Sequence, residues 1–167
     1  MTTDNLVPPI KIYIDESVLS LAKYHVLSNK NVETGGVLVG LHKTNDGIDA
    51  KSYDVTIVDA IAAIKAINSQ TSVSFTAESW KEIWIEMDNR YPNMEREIVG
   101  WYHSHPNFGI FLSTADTHFH KTFYSNKWHV ALVIDPIKDS WGFFGWAGDN
   151  IVQIPDIQIV VNPNNQT

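Results

Sequence analysis

Cysteine is absent from this 167-residue chain, which excludes disulfides, thiolate nucleophiles and every zinc site built on sulfur, and fits a reducing compartment. Basic residues are few and scattered. Lys and Arg number 12 against 19 Asp and Glu, a net charge of -7; no basic run exists to bind phosphates, so nucleic acid is not expected as a partner. Long apolar runs are missing too, since none reaches the roughly 18–20 residues that span a bilayer. Met1-Thr2-Thr3-Asp4-Asn5 carries no charged segment followed by an apolar one, so no signal peptide is read there. The expectation is a cytoplasmic protein with no membrane contact. Internal repeats and low-complexity tracts are not found. The signatures H-E-x-x-H, G-x-S-x-G and the P-loop are absent as well, and the zinc deaminase pattern fails for want of cysteine.

What is present suits one domain with a real core. Hydrophobic residues make up 44% of the chain and charged ones 19%, with six Trp, six Tyr and seven Phe to fill the interior. Ile10–Ile14 alternates and is β-branched, which predicts a strand. Asp15 is placed to cap a helix over Glu16–Asn29 that turns Val18, Leu19, Ala22 and Val26 inward. Gly36–Leu41 and Tyr53–Val58 read as strands, followed by an Ala/Ile-rich stretch and a short strand at Ser72–Phe75. Thr76 caps a second helix with Trp80, Ile83, Trp84, Met87 and Tyr91 on one face, ended by Tyr91-Pro92-Asn93. A third helix runs from Ser113 to about Phe123, and Glu97–Tyr102, Trp128–Ile134, Trp141–Trp146 and Ile151–Val161 supply the remaining strands. The expected fold is an α+β or α/β/α sandwich with a mixed central sheet, one domain over residues 1–161, and a flexible polar tail at 162–167.

The chemistry concentrates in Gly100-Trp101-Tyr102-His103-Ser104-His105-Pro106, followed by Ser113 and Asp116. Histidines at i and i+2 on a strand point to one face, because side chains alternate with period two. Two imidazoles and a carboxylate suit Zn2+, and three protein ligands leave a fourth position for water, the mark of a catalytic site. Ser113 and Asp116 also have the S-x-x-D spacing of a helix capping box, in which both satisfy backbone amides. Spacing alone leaves the two readings of Asp116 open. Glu33, beside Gly35 and Gly36 and ahead of a buried strand, is the best candidate for a general base. A second pair, His118-Phe119-His120, falls on the predicted helix, where i and i+2 diverge; it reads as solvated surface. His25, His42 and His129 stand alone and are assigned no role.

Together these residues resemble the JAMM/MPN+ (Mov34/Pad1, JAB) metallopeptidase family, whose signature is an upstream Glu followed by H-x-H-P-x6-S-x2-D. Glu33, His103, His105, Pro106, Ser113 and Asp116 match it without gap or substitution. Further landmarks match as well: Glu33-Thr34-Gly35-Gly36 with the Val-Leu-Val-Gly that follows, Phe108-Gly109, Leu112-Ser113 and Val133-Ile134-Asp135-Pro136, so that the resemblance spans roughly residues 10–147. It implies a cytidine-deaminase-like core and one catalytic zinc held by His103, His105 and Asp116. Glu33 would take the proton of the attacking water and return it to the leaving amine, and Ser113 would hydrogen-bond the oxyanion.

The resemblance further implies a zinc-dependent isopeptidase or peptidase that deconjugates or matures a ubiquitin-like protein by hydrolysis after its C-terminal glycine. The substrate tail would pair as an added strand with the segment at about Ala63–Phe75. The compact form is similar to bacterial members that act with ubiquitin-like proteins and E1- and E2-like enzymes, some in antiphage defence. Two other readings stay open: a zinc peptidase or amidase acting on a sulfur-carrier or small peptide substrate, and a non-catalytic MPN scaffold.

Overall fold

Ile10, Ile12 and Ile14 alternate with polar neighbours. In the computed structural model, which describes residues 6–69 and 72–163, they form the buried side of β1 (Ile10–Asp15). Asp15 accepts a hydrogen bond from the Ser17 amide at 2.9 Å and so starts α1 (Glu16–Leu27), which buries Val18, Leu19, Ala22 and Val26 as predicted. β2 (Gly35–Asp46) and β3 (Lys51–Ala62) follow as a long antiparallel hairpin, then β4 (Ile67–Asn68) and β5 (Val73–Ser74) as a small separate one. The Thr76 hydroxyl caps α2 (Ala77–Arg90) by accepting from the Ser79 amide at 3.1 Å. After it come β6 (Glu97–Ser104), α3 (Thr114–Phe123), β7 (Val130–Asp135), β8 (Ser140–Ala147), β9 (Asn150–Ile154) and β10 (Ile157–Val160).

Eight strands form one mixed sheet in the order β10-β1-β3-β2-β6-β7-β8-β9, parallel at β10/β1, β1/β3 and β6/β7 and antiparallel elsewhere. Period-two alternation divides the core. Leu38 and Leu132 face the α1 side, while Val37 and Val39 pack with Ile83 and Met87 of α2. Ala131 and Val133 pack on that second side with Trp101 and with Phe119 of α3. The fold is therefore α+β with helices on both faces of the sheet.

One irregularity decides which way the histidines point. Leu38 pairs with Gly100 but Val39 pairs with Ile98, so β6 carries one extra residue there, a β-bulge. Ile98 and Trp101 consequently face the same side although they stand an odd number of positions apart in the chain, and Tyr102 turns to the α1 side. Without the bulge every later side chain of β6 would flip, His103 included. Gly100 sits at that place because a Cβ there would lie 2.1 Å from the Val130 carbonyl oxygen.

Three expectations need correction. Ile151–Val161 is not one strand: Pro155-Asp156 interrupts it, and the halves diverge to opposite edges, β9 beside β8 and β10 beside β1. Trp84 is 54% exposed, since the buried stripe of α2 is Ser79, Ile83 and Met87. His120 is fully buried rather than solvated, because α3 turns it toward the sheet along with Asp116, one helical turn before it. Beyond Pro163 the expected tail lies outside the described residues, as do Gln70 and Thr71 of the 63–75 segment. No helix among the described residues is long and apolar enough to cross a membrane.

Candidate metal centre

The C-terminal end of β6 runs between β2 and β7, and both neighbours anchor it. The Ser104 amide donates to the Thr34 carbonyl at 2.9 Å and the His105 amide to the Ile134 carbonyl at 2.8 Å. Both imidazoles emerge on the α3 side. Asp116 meets them from the first turn of α3, where Ser113 caps the helix. The Nε2 atoms of His103 and His105 and Oδ2 of Asp116 form a triangle with all three edges at 3.0 Å. All three residues are buried, and among the described residues they are the group whose ligand atoms converge closely enough to hold a metal ion.

The donors fit a zinc ion. Tetrahedral Zn2+ with bonds of about 2.0–2.1 Å sets its ligand atoms about 3.3–3.4 Å apart, a few tenths more than the edges here. Two imidazole nitrogens and a carboxylate oxygen crowded together away from water need a cation or shared protons between them. A backbone contact orients His105 to ligate. Its Nδ1–H donates to the Gly109 carbonyl at 3.2 Å, which leaves Nε2 free for the metal.

The capping and ligand readings of Ser113 and Asp116 prove compatible. The Asp116 amide donates to Ser113 Oγ at 3.1 Å and the Ser113 amide donates to Asp116 Oδ2 at 3.0 Å, a complete capping box. The same Oδ2 is a corner of the triangle, so the cap aims it there. The Ser113 hydroxyl is engaged only as an acceptor by this bond, so its proton remains free to donate.

Glu33 reaches the site from the other direction. Its Oε1 lies 3.8 Å from His105 Nε2, and its Oε2 is buried with no partner. The Thr34 amide donates to Ser104 Oγ at 3.0 Å, tying the base of Glu33 to the strand between the histidines. Gly35 permits that closeness, because a Cβ there would lie 2.4 Å from the Tyr102 carbonyl oxygen. Burial pushes the Glu33 carboxyl up to about 7, partly offset by the charge on His105. Burial works the same way on Asp116, but hydrogen bonds from His103 and His105 outweigh it and hold the carboxyl far below its ordinary range. Of the imidazoles, burial draws His103 down, whereas for His105 the Asp116 bond and charge overcome burial and raise it.

Two depressions meet at the triangle. A cleft of about 150 Å³ is lined by Glu33, His105, Phe108, Phe111 and Ser113. A groove of about 440 Å³ runs from Asp116 between α3 and the β4–β5 hairpin, with Val73, Phe75, Trp101 and Phe119 among its walls.

The sequence reading missed two supporting residues. Asp135, noted only as part of the Val133–Pro136 landmark, is buried and accepts from the amides of Asn107, Gly109, Ile137 and Lys138 at 3.0–3.1 Å. It thereby holds the loop whose Gly109 carbonyl orients His105. Ser104 was passed over as the spacer between two histidines. In both cases the signal was a polar side chain at a position the pattern made interior.

Residues 9–126 match the family described as JAB1/Mov34/MPN/PAD-1 ubiquitin protease. The chain belongs to that family. Among its relatives are the ubiquitin carboxyl-terminal hydrolase RPN11 of Saccharomyces cerevisiae, 30% identical over 132 residues, or 78% of this chain and 40% of the relative. COP9 signalosome complex subunit 5 of Kluyveromyces lactis is 30% identical over 120 residues, covering 71% of this chain and 29% of the relative. This family member thus spans two-fifths or less of the length of either relative. In fold it is similar to the solution structure of protein DSY2949 from Desulfitobacterium hafniense, with a TM-score of 0.63 and 18% identity, covering 90% of this chain and 94% of that one.

Proposed function

We propose that this protein is a zinc-dependent hydrolase that cuts the amide bond after the C-terminal glycine of a ubiquitin-like protein, releasing it from a conjugate or a precursor. The observation that carries the reading is the buried triangle of His103, His105 and Asp116 with the Glu33 carboxyl beside it. His103, His105 and Asp116 would hold the zinc, which would supply Lewis acidity there for water and for the scissile carbonyl. Glu33, buried beside the triangle, takes the proton of the attacking water and returns it to the leaving amine. Ser113 donates a hydrogen bond to the oxyanion, a contribution of roughly 3–4 kcal/mol for one well-placed donor.

Membership of a family described as ubiquitin protease, and the RPN11 relative named a ubiquitin carboxyl-terminal hydrolase, support the substrate class. The groove supports the binding mode. An extended tail lying along β5 over Val73 and Phe75 is led toward Asp116, and glycines at its end place no side chain against Trp101 and Phe119. Past Phe123 the surface opens into an apolar basin of about 800 Å³ lined by Trp80, Trp84, Met87 and Trp128, a suitable seat for the body of the partner.

The test is cleavage of a panel of ubiquitin-like proteins, each fused through its C-terminal glycine to a reporter, by zinc-loaded and chelator-treated protein. Zinc-dependent cleavage after the glycine is the expected result. Zinc-loaded protein that cuts short peptide amides and no fusion would replace the ubiquitin-like substrate with a smaller one.

A further inference from the structure

His103 reaches the triangle through Nε2, and no hydrogen bond holds the far side of its ring. Its Nδ1 is buried and unpartnered, although a metal-ligating imidazole ordinarily donates its second N–H to a carboxylate, carbonyl or water. Its neighbour His105 has such a partner in the Gly109 carbonyl. The His103 ring instead lies flat on the indole of Trp101, with centroids 4.4 Å apart and planes 10° from parallel. The edge of His105 closes the arrangement at 4.7 Å and 75°. The orientation of His103 therefore depends on that of Trp101.

Trp101 is itself buried, and its indole N–H can only donate. It donates to Nδ1 of His120 at 2.9 Å. Phe119 packs edge-on against the indole at 4.6 Å, and Tyr124 stacks on it at 6.2 Å. Those contacts clamp the faces of the ring, and the bond to His120 holds its N–H edge. His120 can accept only while Nδ1 is unprotonated. Burial keeps the imidazole neutral by drawing it down to about 3, and the indole N–H selects the tautomer whose proton sits on Nε2, a buried atom with no partner of its own. One helix thus carries both Asp116, a corner of the triangle, and His120, one turn later.

We propose that His120 is a positioning residue for the metal centre, holding Trp101 by its indole N–H so that Trp101 in turn holds the His103 imidazole in its ligating orientation. The inference rests on the reading of the triangle as a zinc site. It gives a function to the second half of the His118-Phe119-His120 pair, which the triangle does not use.

The test measures zinc affinity by competition with a chromophoric chelator, and the visible spectrum of the cobalt-substituted protein, for wild type, His120→Asn, His120→Met, Trp101→Phe and the Trp101→Phe/His120→Met double variant. Asparagine keeps an acceptor near the place of Nδ1, and methionine keeps volume without one. His120→Met is expected to lose about 10–100-fold in zinc affinity, the usual cost of removing an outer-shell partner, and to change the cobalt spectrum. His120→Asn should retain wild-type affinity, and the double variant should match Trp101→Phe. Equal losses in the Asn and Met variants would overturn the proposal, as would an unchanged Met variant. If His120→Met alone does not fold, the comparison in the Trp101→Phe background decides, because no indole N–H is left there to orphan. A further loss of affinity in the double variant would then overturn it. Wild type that binds no zinc would overturn the functional reading and this inference with it, whereas the variant comparisons bear on this inference alone.

Discussion

One carboxylate oxygen, Oδ2 of Asp116, accepts the Ser113 amide at 3.0 Å and lies 3.0 Å from Nε2 of both His103 and His105. The helix cap and the candidate ligand set therefore share an atom. Ser113→Ala separates their consequences. Losing the cap costs about 0.5–2 kcal/mol of stability. On the proposed mechanism, loss of the Ser113 hydroxyl should also cost roughly 10²–10³ in kcat. Zinc content should stay at the wild-type level, because the Ser113 amide that orients Asp116 survives the substitution. Denaturant unfolding, metal analysis and turnover on one preparation check all three.

Gly100→Ala should destabilise the fold by more than about 2 kcal/mol, since overpacking against backbone leaves no flexible side chain to yield. The added Cβ would sit 2.1 Å from the Val130 carbonyl oxygen, at the bulge that turns His103 toward α3. The refolded variant should also bind zinc more weakly. A urea midpoint unchanged from wild type would show that the bulge does not need glycine.

Below neutrality the buried histidine of α3 becomes a liability. Burial lowers His120 to about 3, against about 6.5 in an unfolded chain. Between those values the unfolded state binds the extra proton, so the stability contributed by neutral His120 is complete above about 6.5 and is lost as pH falls toward 3. The loss is about 1.4 kcal/mol per pH unit. His105, whose value is raised, has the opposite sign in metal-free protein: its contribution is present at low pH and is lost as pH rises. Comparing urea unfolding of chelated wild type and His120→Asn between pH 7.5 and 5 cancels the His105 contribution. The variant should show the shallower acid loss.

Val73→Pro removes a backbone donor from β5 and should raise KM for a ubiquitin-like fusion about tenfold, the effect of roughly 1.4 kcal/mol of lost binding. Zinc content and turnover of a short peptide amide should not change, because Val73 lines the groove away from the triangle.

The candidate site was legible because His103 and His105 obey strand alternation and Asp116 follows at the start of a helix. That kind of local geometry leaves a regular spacing in the chain. Glu33 lies far away in sequence and was marked by the Gly35-Gly36 pair, whose function is visible only in the Tyr102 and Ile61 carbonyls that side chains there would strike. His120 was misread because helical spacing gives the angle between residues and not which face meets the sheet. Trp84 failed for the related reason that a stripe of apolar residues can be wider than the surface available to cover it. The parting of β9 and β10 was signalled by Pro155, but which edge each strand joins depends on contacts with β8 and β1 that local sequence does not encode.

The most direct measurement is zinc content and cleavage rate on a single preparation of Glu33→Gln. A base that moves the proton without binding the metal predicts one zinc per chain and a rate at least about 10²–10⁴ lower than wild type. Loss of the zinc, or turnover near the wild-type rate, would contradict the account of the buried triangle as a hydrolytic centre served by Glu33.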